Sequence, residues 1–202
     1  HLDARLVKAL ETQPDEQVAK RLTEARSEIR RLVSMLESLL DIAWSKARLS
    51  DRSALTPVDM SALVTNLCEL YADSAEDAGL ALQWEVQPGV VFDGDEAQLG
   101  RLLANLLDNA LKYVPAGGTI RVALSDGPVL VVADDGPGIA EADRTRIFER
   151  FQRGPDVKAG EERPGAGLGL ALASAIAQRH SMSLECLPSA TGALFQLRRE
   201  RP

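Results

Sequence analysis

The chain has 202 residues, 45% of them hydrophobic, a length and composition that suit one or two globular domains. The formal net charge of −7 argues against a nucleic-acid-binding protein, because such proteins present a basic surface to phosphates. No apolar run approaches the ~18 residues that a membrane-spanning helix needs, and no signal peptide is expected.

The first predicted element is an α-helical hairpin at residues 1–49. A short amphipathic helix ends near Pro14, and a longer helix then runs from about residue 15 to residue 49. The longer helix carries an a/d heptad seam flanked by charges, and an amphipathic hairpin rarely folds alone. We therefore expect the seam to pair with a second copy of the chain. Its apolar residues are Leu22, Ala25, Ile29, Leu32, Leu36, Leu39 and Ala43.

A polar stretch with a proline, residues 50–57, predicts a linker, and residues 58–202 are expected to form a second domain. Asp59 is expected to cap its first helix. Hydrophobic and polar residues alternate along the predicted strands, which is typical of strands with one buried face. Next to amphipathic helices, such strands indicate one sheet with helices on one face, an α+β sandwich. The predicted strands are residues 82–86, 120–124, 182–186 and 193–197, and the apolar face of the first helix is Met60, Leu63, Val64, Leu67 and Leu70.

A second helix is predicted after Asp95, with leucines at helical spacing. Asn105 and Asn109 fall one turn apart at the edge of its apolar face, and Lys112 lies just beyond them. Two carboxamides can offer oxygens to a hydrated Mg²⁺ ion, and a lysine offers a point charge to phosphate. A solvated helix edge is the commoner explanation of the asparagine pair when it is considered alone.

A continuous apolar run at residues 129–133 predicts a fully buried strand. Asp134 at its end is suited to accept a hydrogen bond from an exocyclic amine such as N6 of adenine. Gly136 and Gly138 would let the backbone approach a flat base closely. An ordinary Asp-Gly turn remains the alternative for this segment in isolation.

Residues 140–164 are polar and longer than an ordinary connection, which predicts either a functional lid or a disordered segment. Arg150 and Arg153 lie within it and could reach phosphates, although most arginines in such a run only solvate it. No P-loop sequence occurs in the chain.

A glycine-rich stretch, Gly165, Gly167 and Gly169, leads into a helix predicted at residues 168–179. A glycine loop at a helix N-terminus offers free N–H groups and a positive dipole end to anions. At the other end of this helix, His180 is expected to act as a cationic side chain near the C-terminal dipole.

Together these segments resemble the N, G1, F and G2 boxes of sensor histidine kinases, whose ATP-binding domain is shared with gyrase and Hsp90. The resemblance covers about residues 57–199. It implies an α+β fold of the histidine kinase, gyrase and Hsp90 ATPase type, preceded by the helical hairpin. The four segments are residues 105–113, 134–139, 147–153 and 165–170.

The resemblance implies that Asn105 and Asn109 serve Mg²⁺ and that Lys112 contacts the phosphates of ATP. It further implies that Tyr113 contacts the base or ribose and that Asp134 recognises adenine. In gyrase and Hsp90 a glutamate that activates water stands at the position of Asn105, so its absence favours a kinase over an ATPase. The predicted site is completed by Gly136, Gly138, Arg150, Arg153, Gly165, Gly167, Leu168 and Gly169.

The implied reaction moves the γ-phosphoryl group of ATP to a histidine and then to an aspartate on the receiver domain of a response regulator. The implied assembly is a homodimer in the cytoplasm, attached to a membrane only through segments upstream of this chain. Cys68 and Cys186 lack the spacing of metal ligands and are expected to stay reduced, which is consistent with the cytosol.

The family's acceptor motif, similar to His-Glu/Asp-Leu-Arg-Thr-Pro, has no counterpart in this chain. His1 is followed by Leu2 and Asp3, without the motif's acidic neighbour and without its proline. Because the chain begins with His rather than Met, it is expected to be a piece of a longer protein. The first hairpin helix is also much shorter than the second, so the acceptor is expected upstream of His1, and the chain is not expected to autophosphorylate. Two alternatives stay open: an ATPase of the gyrase or Hsp90 type, and a pseudo-kinase that binds nucleotide and acts only as a dimeric scaffold.

Overall fold

The structure is a computed structural model that describes residues 55–127, 129–152 and 167–199, together with residues 18, 21–23, 25, 28 and 29. The described positions before residue 30 are helical. The rest of the predicted hairpin and residues 50–54 of the predicted linker lie outside the described residues, so the heptad seam stays a prediction.

From residue 55 onward, the described part of the chain contains seven strands, three α-helices and two short 3₁₀ turns. In chain order these are β1 (Thr56–Asp59), α1 (Met60–Asp77), β2 (Ala81–Val86), β3 (Val91–Gly94), α2 (Glu96–Tyr113), β4 (Thr119–Ser125), β5 (Val129–Asp134), the 3₁₀ turns Glu141–Asp143 and Arg146–Phe148, α3 (Gly169–Arg179), β6 (Met182–Leu187) and β7 (Leu194–Arg199).

Five strands form one mixed sheet in the order β2-β4-β5-β7-β6. The β2–β4 pair is parallel, and the other three pairs are antiparallel. On β4, Ile120, Val122 and Leu124 are buried, while Arg121 and Ala123 between them are exposed. One face of the sheet is therefore covered by helices and the other is open. The predicted α+β sandwich with a mixed sheet is confirmed.

The prediction that β5 is buried on both faces was wrong. Leu130 and Val132 are buried, but Val129 and Val131 are only half-buried. Because the helices cover a single face, alternate side chains of a central strand must point to the open face. The continuous apolar run marks a central strand rather than a strand enclosed on both sides.

The predicted apolar face of α1 was wrong at one position. Asp59 caps the helix as predicted, accepting a hydrogen bond from the N–H of Ala62 at 2.9 Å. Leu70, however, is 71% exposed. It lies six residues after the buried Val64, which places it about 120° around the helix from the core. Cys68, four residues after Val64, is the buried residue in that part of the helix.

Strands β1 and β3 pair antiparallel as a separate two-stranded ribbon. Val58 stands opposite Phe92 in this ribbon, and both side chains are buried. Neither strand was predicted, because four residues are too few to show alternation. Thr56 and Pro57, assigned to the linker from sequence, form the first half of β1, so the fold includes residues before the predicted boundary at residue 58.

Helices α2 and α3 pack against each other on the covered face of the sheet. Asp95 caps α2 as predicted, its Oδ1 accepting the N–H of Gln98 at 3.2 Å. The predicted apolar face of α2 is buried and extends to one further leucine. The buried residues of the two helices are Leu99, Leu102, Leu103, Leu106, Leu107 and Ala110 in α2, and Ala171, Leu172, Ala173, Ala175, Ile176, Ala177 and Arg179 in α3.

Candidate functional site

Several of the predicted site residues lie where α2, the end of β5 and the N-terminus of α3 meet. A Cβ atom placed on Gly169 would lie 2.8 Å from Oδ1 of Asn105, so α2 and the start of α3 are in close contact. A Cβ atom on Gly136 would lie 3.5 Å from the carbonyl oxygen of Tyr113, so the end of β5 reaches the end of α2. Segments far apart in sequence thus meet in one region, which we call the candidate cleft.

Asn105 has a defined orientation in this cleft. Its Nδ2 donates to the carbonyl oxygen of Arg101 at 2.7 Å, which turns Oδ1 away from its own helix and toward Gly169. Asn109 follows one turn later and is partly buried. Two carboxamide oxygens are too few to hold Mg²⁺ by themselves, but Mg²⁺ commonly uses one or two protein ligands together with substrate phosphates and water. The donor set therefore fits an ion that is bound together with a triphosphate.

Lys112 and Tyr113 lie next to each other at the end of α2. The Nζ atom of Lys112 donates to Oη of Tyr113 at 3.0 Å and lies 4.7 Å from the centre of the ring. Among the described residues no carboxylate forms an ion pair with Lys112. Its charge is therefore not neutralised within that part of the chain, and it can interact with phosphate.

Asp134 is buried and held rigidly. Its Oδ1 accepts the N–H of Gly136 at 2.9 Å and the N–H of Ala193 at 3.1 Å. Its own N–H donates to the carbonyl oxygen of Ala193 at 2.9 Å. Within the described residues Oδ1 takes both side-chain bonds, which leaves Oδ2 as the acceptor for a ligand.

Two site residues, Gly192 and Ala193, were missed from sequence. Gly192 has φ +63°, and a Cβ atom there would overlap the carbonyl oxygen of Asp134. A Cβ atom on Gly138 would lie 3.0 Å from the carbonyl oxygen of Gly192, so three segments meet here without side chains between them. The available signal was that Gly192 is the single glycine in the β6–β7 connection, residues 188–193.

The glycine loop is only partly described. Gly167 has φ +67°, and its carbonyl oxygen accepts the N–H of Phe151 at 2.9 Å, which joins the two ends of the intervening segment. Helix α3 begins at Gly169, one residue later than predicted, and no side chain caps its first turn. Its leading N–H groups thus remain available to an anion. Gly165 lies outside the described residues.

The remaining predictions for this region concern Leu168, Arg150, Arg153 and the lid. Leu168 is buried, so its side chain belongs to the core and only its backbone can line the cleft. Arg150 is exposed, whereas Arg153 lies outside the described residues. Of the predicted lid, residues 140–152 are described and contain the two 3₁₀ turns, and the rest lies outside.

The prediction that His180 is cationic was wrong. The side chain is buried, its Nδ1 lies 2.8 Å from the carbonyl oxygen of Ile176, and its Nε2 lies 3.0 Å from the N–H of Asp95. One nitrogen must donate and the other must accept, which requires the neutral imidazole. Burial lowers the pKa of His180 from its ordinary value and outweighs the opposing effect of the hydrogen bond to the carbonyl oxygen of Ile176.

The cysteines do not contribute chemistry to this cleft. Burial raises the pKa of the Cys68 thiol to about 11, which keeps the thiol protonated and unreactive at neutral pH.

None of the helices in the described part of the chain combines the length and apolarity required to cross a membrane.

The family described as "Histidine kinase-, DNA gyrase B-, and HSP90-like ATPase" matches residues 94–200. The chain is 34% identical over 161 residues to "Sensor protein SphS" of Synechococcus elongatus, covering 76% of this chain and 39% of that protein. It is 34% identical over 178 residues to "Signal transduction histidine-protein kinase/phosphatase MprB" of a Mycobacterium species, covering 85% of this chain and 32% of that protein. The chain thus spans about a third of the length of these relatives.

Solved structures agree with the sequence relatives. "Mycobacterial sensor histidine kinase MprB" is 31% identical with a TM-score of 0.62, covering 73% of this chain and all of that one. "Crystal structure of ShkA full-length in complex with AMPPNP" is 27% identical with a TM-score of 0.74, covering 98% of this chain and 42% of that one. The chain belongs to the histidine kinase-, DNA gyrase B- and HSP90-like ATPase family, and it contains an ATP-binding catalytic domain of the sensor histidine kinase type.

Proposed function

We propose that this chain holds ATP and Mg²⁺ in the cleft between α2, the end of β5 and the N-terminus of α3. There it supplies the γ-phosphoryl group for transfer to a histidine and onward to an aspartate of a response regulator. The observation that carries this proposal is the Asp134 carboxylate, whose Oδ1 is held by two backbone N–H groups while Oδ2 is left for a ligand.

Asp134 would select adenine over guanine. Adenine presents an amine at position 6, which Oδ2 can accept, whereas guanine presents a carbonyl oxygen there and would place two acceptors against each other. Because the carboxylate is buried, placing its oxygen against another acceptor is energetically costly. The lack of side chains at Gly136 and Gly138 leaves room for the base beside the backbone.

The phosphates would extend toward the N-terminus of α3. Its uncapped N–H groups and positive dipole end attract anions, and Lys112 adds a full positive charge. Asn105 and Asn109 would hold Mg²⁺ through their carboxamide oxygens, and the ion would neutralise charge on the phosphates. Phosphoryl transfer rests on such positioning and electrostatics more than on covalent chemistry by the protein.

Asn105 supports phosphoryl donation over hydrolysis. Its carboxamide cannot take a proton from water as a carboxylate can, and its Nδ2 is already committed to the carbonyl oxygen of Arg101. The relative named "Signal transduction histidine-protein kinase/phosphatase MprB" supports the same reaction. The ShkA structure with AMPPNP supports a triphosphate as the ligand.

The experiment that tests this function is a calorimetric titration of the chain with ATP and with GTP, in the presence of Mg²⁺. We expect ATP to bind at least about fivefold more tightly than GTP, because a mispaired buried acceptor costs about 1–3 kcal/mol. Equal affinity for the two nucleotides would contradict the assigned base contact.

We expect the chain not to label itself with phosphate. It contains two histidines, His1 and His180. Both ring nitrogens of His180 are engaged in hydrogen bonds within the core, so it cannot reach ATP. His1 lacks the acidic neighbour of the family's acceptor. The check is incubation with γ-labelled ATP followed by measurement of acid-labile label. Label that disappears in His1→Gln would show that His1 is the acceptor and that this expectation is wrong.

The proposed partners are a second copy of the chain, through the heptad seam, and a response-regulator receiver domain, both in the cytoplasm. Replacing Leu32 and Leu36 with glutamate would bury charges in the seam and should convert dimers into monomers in sedimentation experiments. The matched control replaces the flanking Glu24 and Glu37 with alanine, which should leave the dimer intact. A monomer for the unchanged chain at high concentration would contradict dimerisation through these residues.

A further inference from the structure

Two of the contacts between helices α2 and α3 are separated by nearly the same length of helix in α2 as in α3. At one end, Asn105 lies against Gly169, beside the proposed phosphate site. At the other end, His180 binds Asp95. Ten residues, about 15 Å of helix, separate Asp95 from Asn105 in α2, and a similar length separates Gly169 from His180 in α3. Both contacts therefore join the same pair of helices, one at the His180 end of α3 and one at its Gly169 end.

His180 joins the two helices through both of its ring nitrogens. Nδ1–H donates to the carbonyl oxygen of Ile176 in the last turn of α3, at 2.8 Å. Nε2 accepts the N–H of Asp95, the N-cap of α2, at 3.0 Å. We call this pair of hydrogen bonds the His180 bridge. It gives the N–H at the start of α2 an acceptor and adds a second donor to the Ile176 carbonyl oxygen, which also accepts the backbone N–H of His180 at 3.2 Å.

The surroundings of the ring hold it in this position. A Cβ atom on Gly94 would come within 3.2 Å of Cδ2 of His180, so Gly94 lies directly against the ring. Phe92 packs beside it, with ring centres 6.4 Å apart. Next to the bridge, Nη1 of the buried Arg179 lies 3.8 Å from Oδ2 of Asp95, a second contact between the same two helix ends.

We propose that His180 is a positioning residue for the nucleotide site: its neutral imidazole fixes α2 and α3 relative to each other, and its protonation releases them and weakens nucleotide binding. This inference rests on the proposed function, because it concerns the same cleft. His180 itself does not touch the nucleotide. It acts through the positions of Asn105 and of the first N–H groups of α3.

Protonation breaks the bridge because a protonated Nε2 carries a hydrogen and cannot accept the N–H of Asp95. The charged groups that face the ring are Asp95 at the start of α2, which favours the protonated form, and Arg179 at the end of α3, which opposes it. Burial is the largest influence and lowers the pKa below the ordinary 6.5. The unfolded chain therefore binds more protons than the folded one in this range. The stability that the bridge contributes is present above about pH 6.5 and is lost as the pH falls below it.

Two substitutions separate the two hydrogen bonds. In His180→Gln, the amide oxygen can take the place of Nε2, which keeps the bond to Asp95 and loses the bond to Ile176. In His180→Asn, the amide nitrogen can take the place of Nδ1, which keeps the bond within α3 and loses the bond to α2. Each variant loses one neutral hydrogen bond, so their stabilities should fall by similar amounts. Only His180→Asn breaks the link between the helices.

The experiment measures ATP affinity by calorimetry with Mg²⁺ for the unchanged chain and for both variants, with denaturation curves for each. We expect His180→Asn to bind ATP about fivefold to tenfold more weakly than His180→Gln, the change that one lost hydrogen bond can produce. Equal affinities in the two folded variants would overturn the positioning role while leaving the proposed function intact. Failure of the unchanged chain to bind ATP would overturn both.

A pH series gives an independent readout, including the case in which His180→Asn does not fold. As the pH is lowered below the ordinary pKa of 6.5, ATP affinity of the unchanged chain should fall relative to His180→Gln, which has no titrating group at this position. Because the same nucleotide is added to both proteins, protonation of ATP itself changes both affinities equally and cancels in their ratio. Both proteins carry His1→Gln, so no other imidazole contributes. A constant ratio across the series would overturn the proposal.

Discussion

Replacing Asp134 with asparagine should weaken ATP binding by about a hundredfold while the fold is retained. The asparagine Oδ1 can still accept the N–H groups of Gly136 and Ala193, so the local structure keeps its hydrogen bonds. At the position of Oδ2, however, an NH₂ group would face the amine of adenine, donor against donor. Loss of a buried, charged acceptor costs about 1.5–3 kcal/mol, which corresponds to roughly tenfold to a hundredfold in affinity, and the opposed donors add to it.

The matched control is Asp135→Asn, the same change of charge one residue later. Asp135 accepts the N–H of Thr119 at 2.6 Å, and an asparagine oxygen can replace that bond. ATP affinity in this control should stay within about twofold of the unchanged chain, since neither a base contact nor a fold contact is lost. If both variants lose affinity equally, the effect is one of net charge, and Asp134 does not recognise the base.

Replacing Gly192 with alanine should lower the free energy of unfolding by about 4 kcal/mol or more, the largest stability effect that we expect from a single added methyl group. Two causes add together. The residue has φ +63°, which disfavours L side chains by about 1–2 kcal/mol. The new Cβ atom would also overlap the carbonyl oxygen of Asp134, which belongs to a central strand and cannot move freely.

Gly89→Ala separates these two causes. Gly89 has φ +75°, but among the described residues, apart from its two chain neighbours, no atom lies within 4 Å of the position that its Cβ would take. Urea denaturation of this control should show only the conformational cost, about 1–2 kcal/mol. If Gly192→Ala costs no more than Gly89→Ala, the close approach of the β6–β7 connection to Asp134 is not important for the fold. A folded Gly192→Ala protein should also bind ATP more weakly, because Asp134 would shift.

Local signals in the sequence predicted much of the fold. Asp59 and Asp95 are N-caps because their side chains can reach the N–H three residues on, a contact that depends only on neighbouring residues. The spacing of the leucines in α2 predicted its buried face for the same reason. The ordered boxes then predicted which side chains share a cleft, and Asn105 and Gly169 do lie in contact.

Features that depend on distant segments could not be predicted in this way. Nothing near Gly192 in the sequence indicates that it faces Asp134, 58 residues away, since only the sheet brings them together. The charge of His180 was misjudged because a helix terminus predicts a cation, whereas the tertiary contact with Asp95 requires a neutral acceptor. Leu70 was placed in the core because its apolarity was given more weight than its position around α1.

A crystal structure of the chain with Mg²⁺ and a non-hydrolysable ATP analogue tests the central claim most directly. The claim predicts that the adenine amine lies within hydrogen-bond distance of Oδ2 of Asp134. It also predicts that the phosphates lie between Lys112 and the start of α3, and that the ion lies beside Asn105 and Asn109. A nucleotide bound elsewhere on the domain, or a base turned away from Asp134, would contradict it.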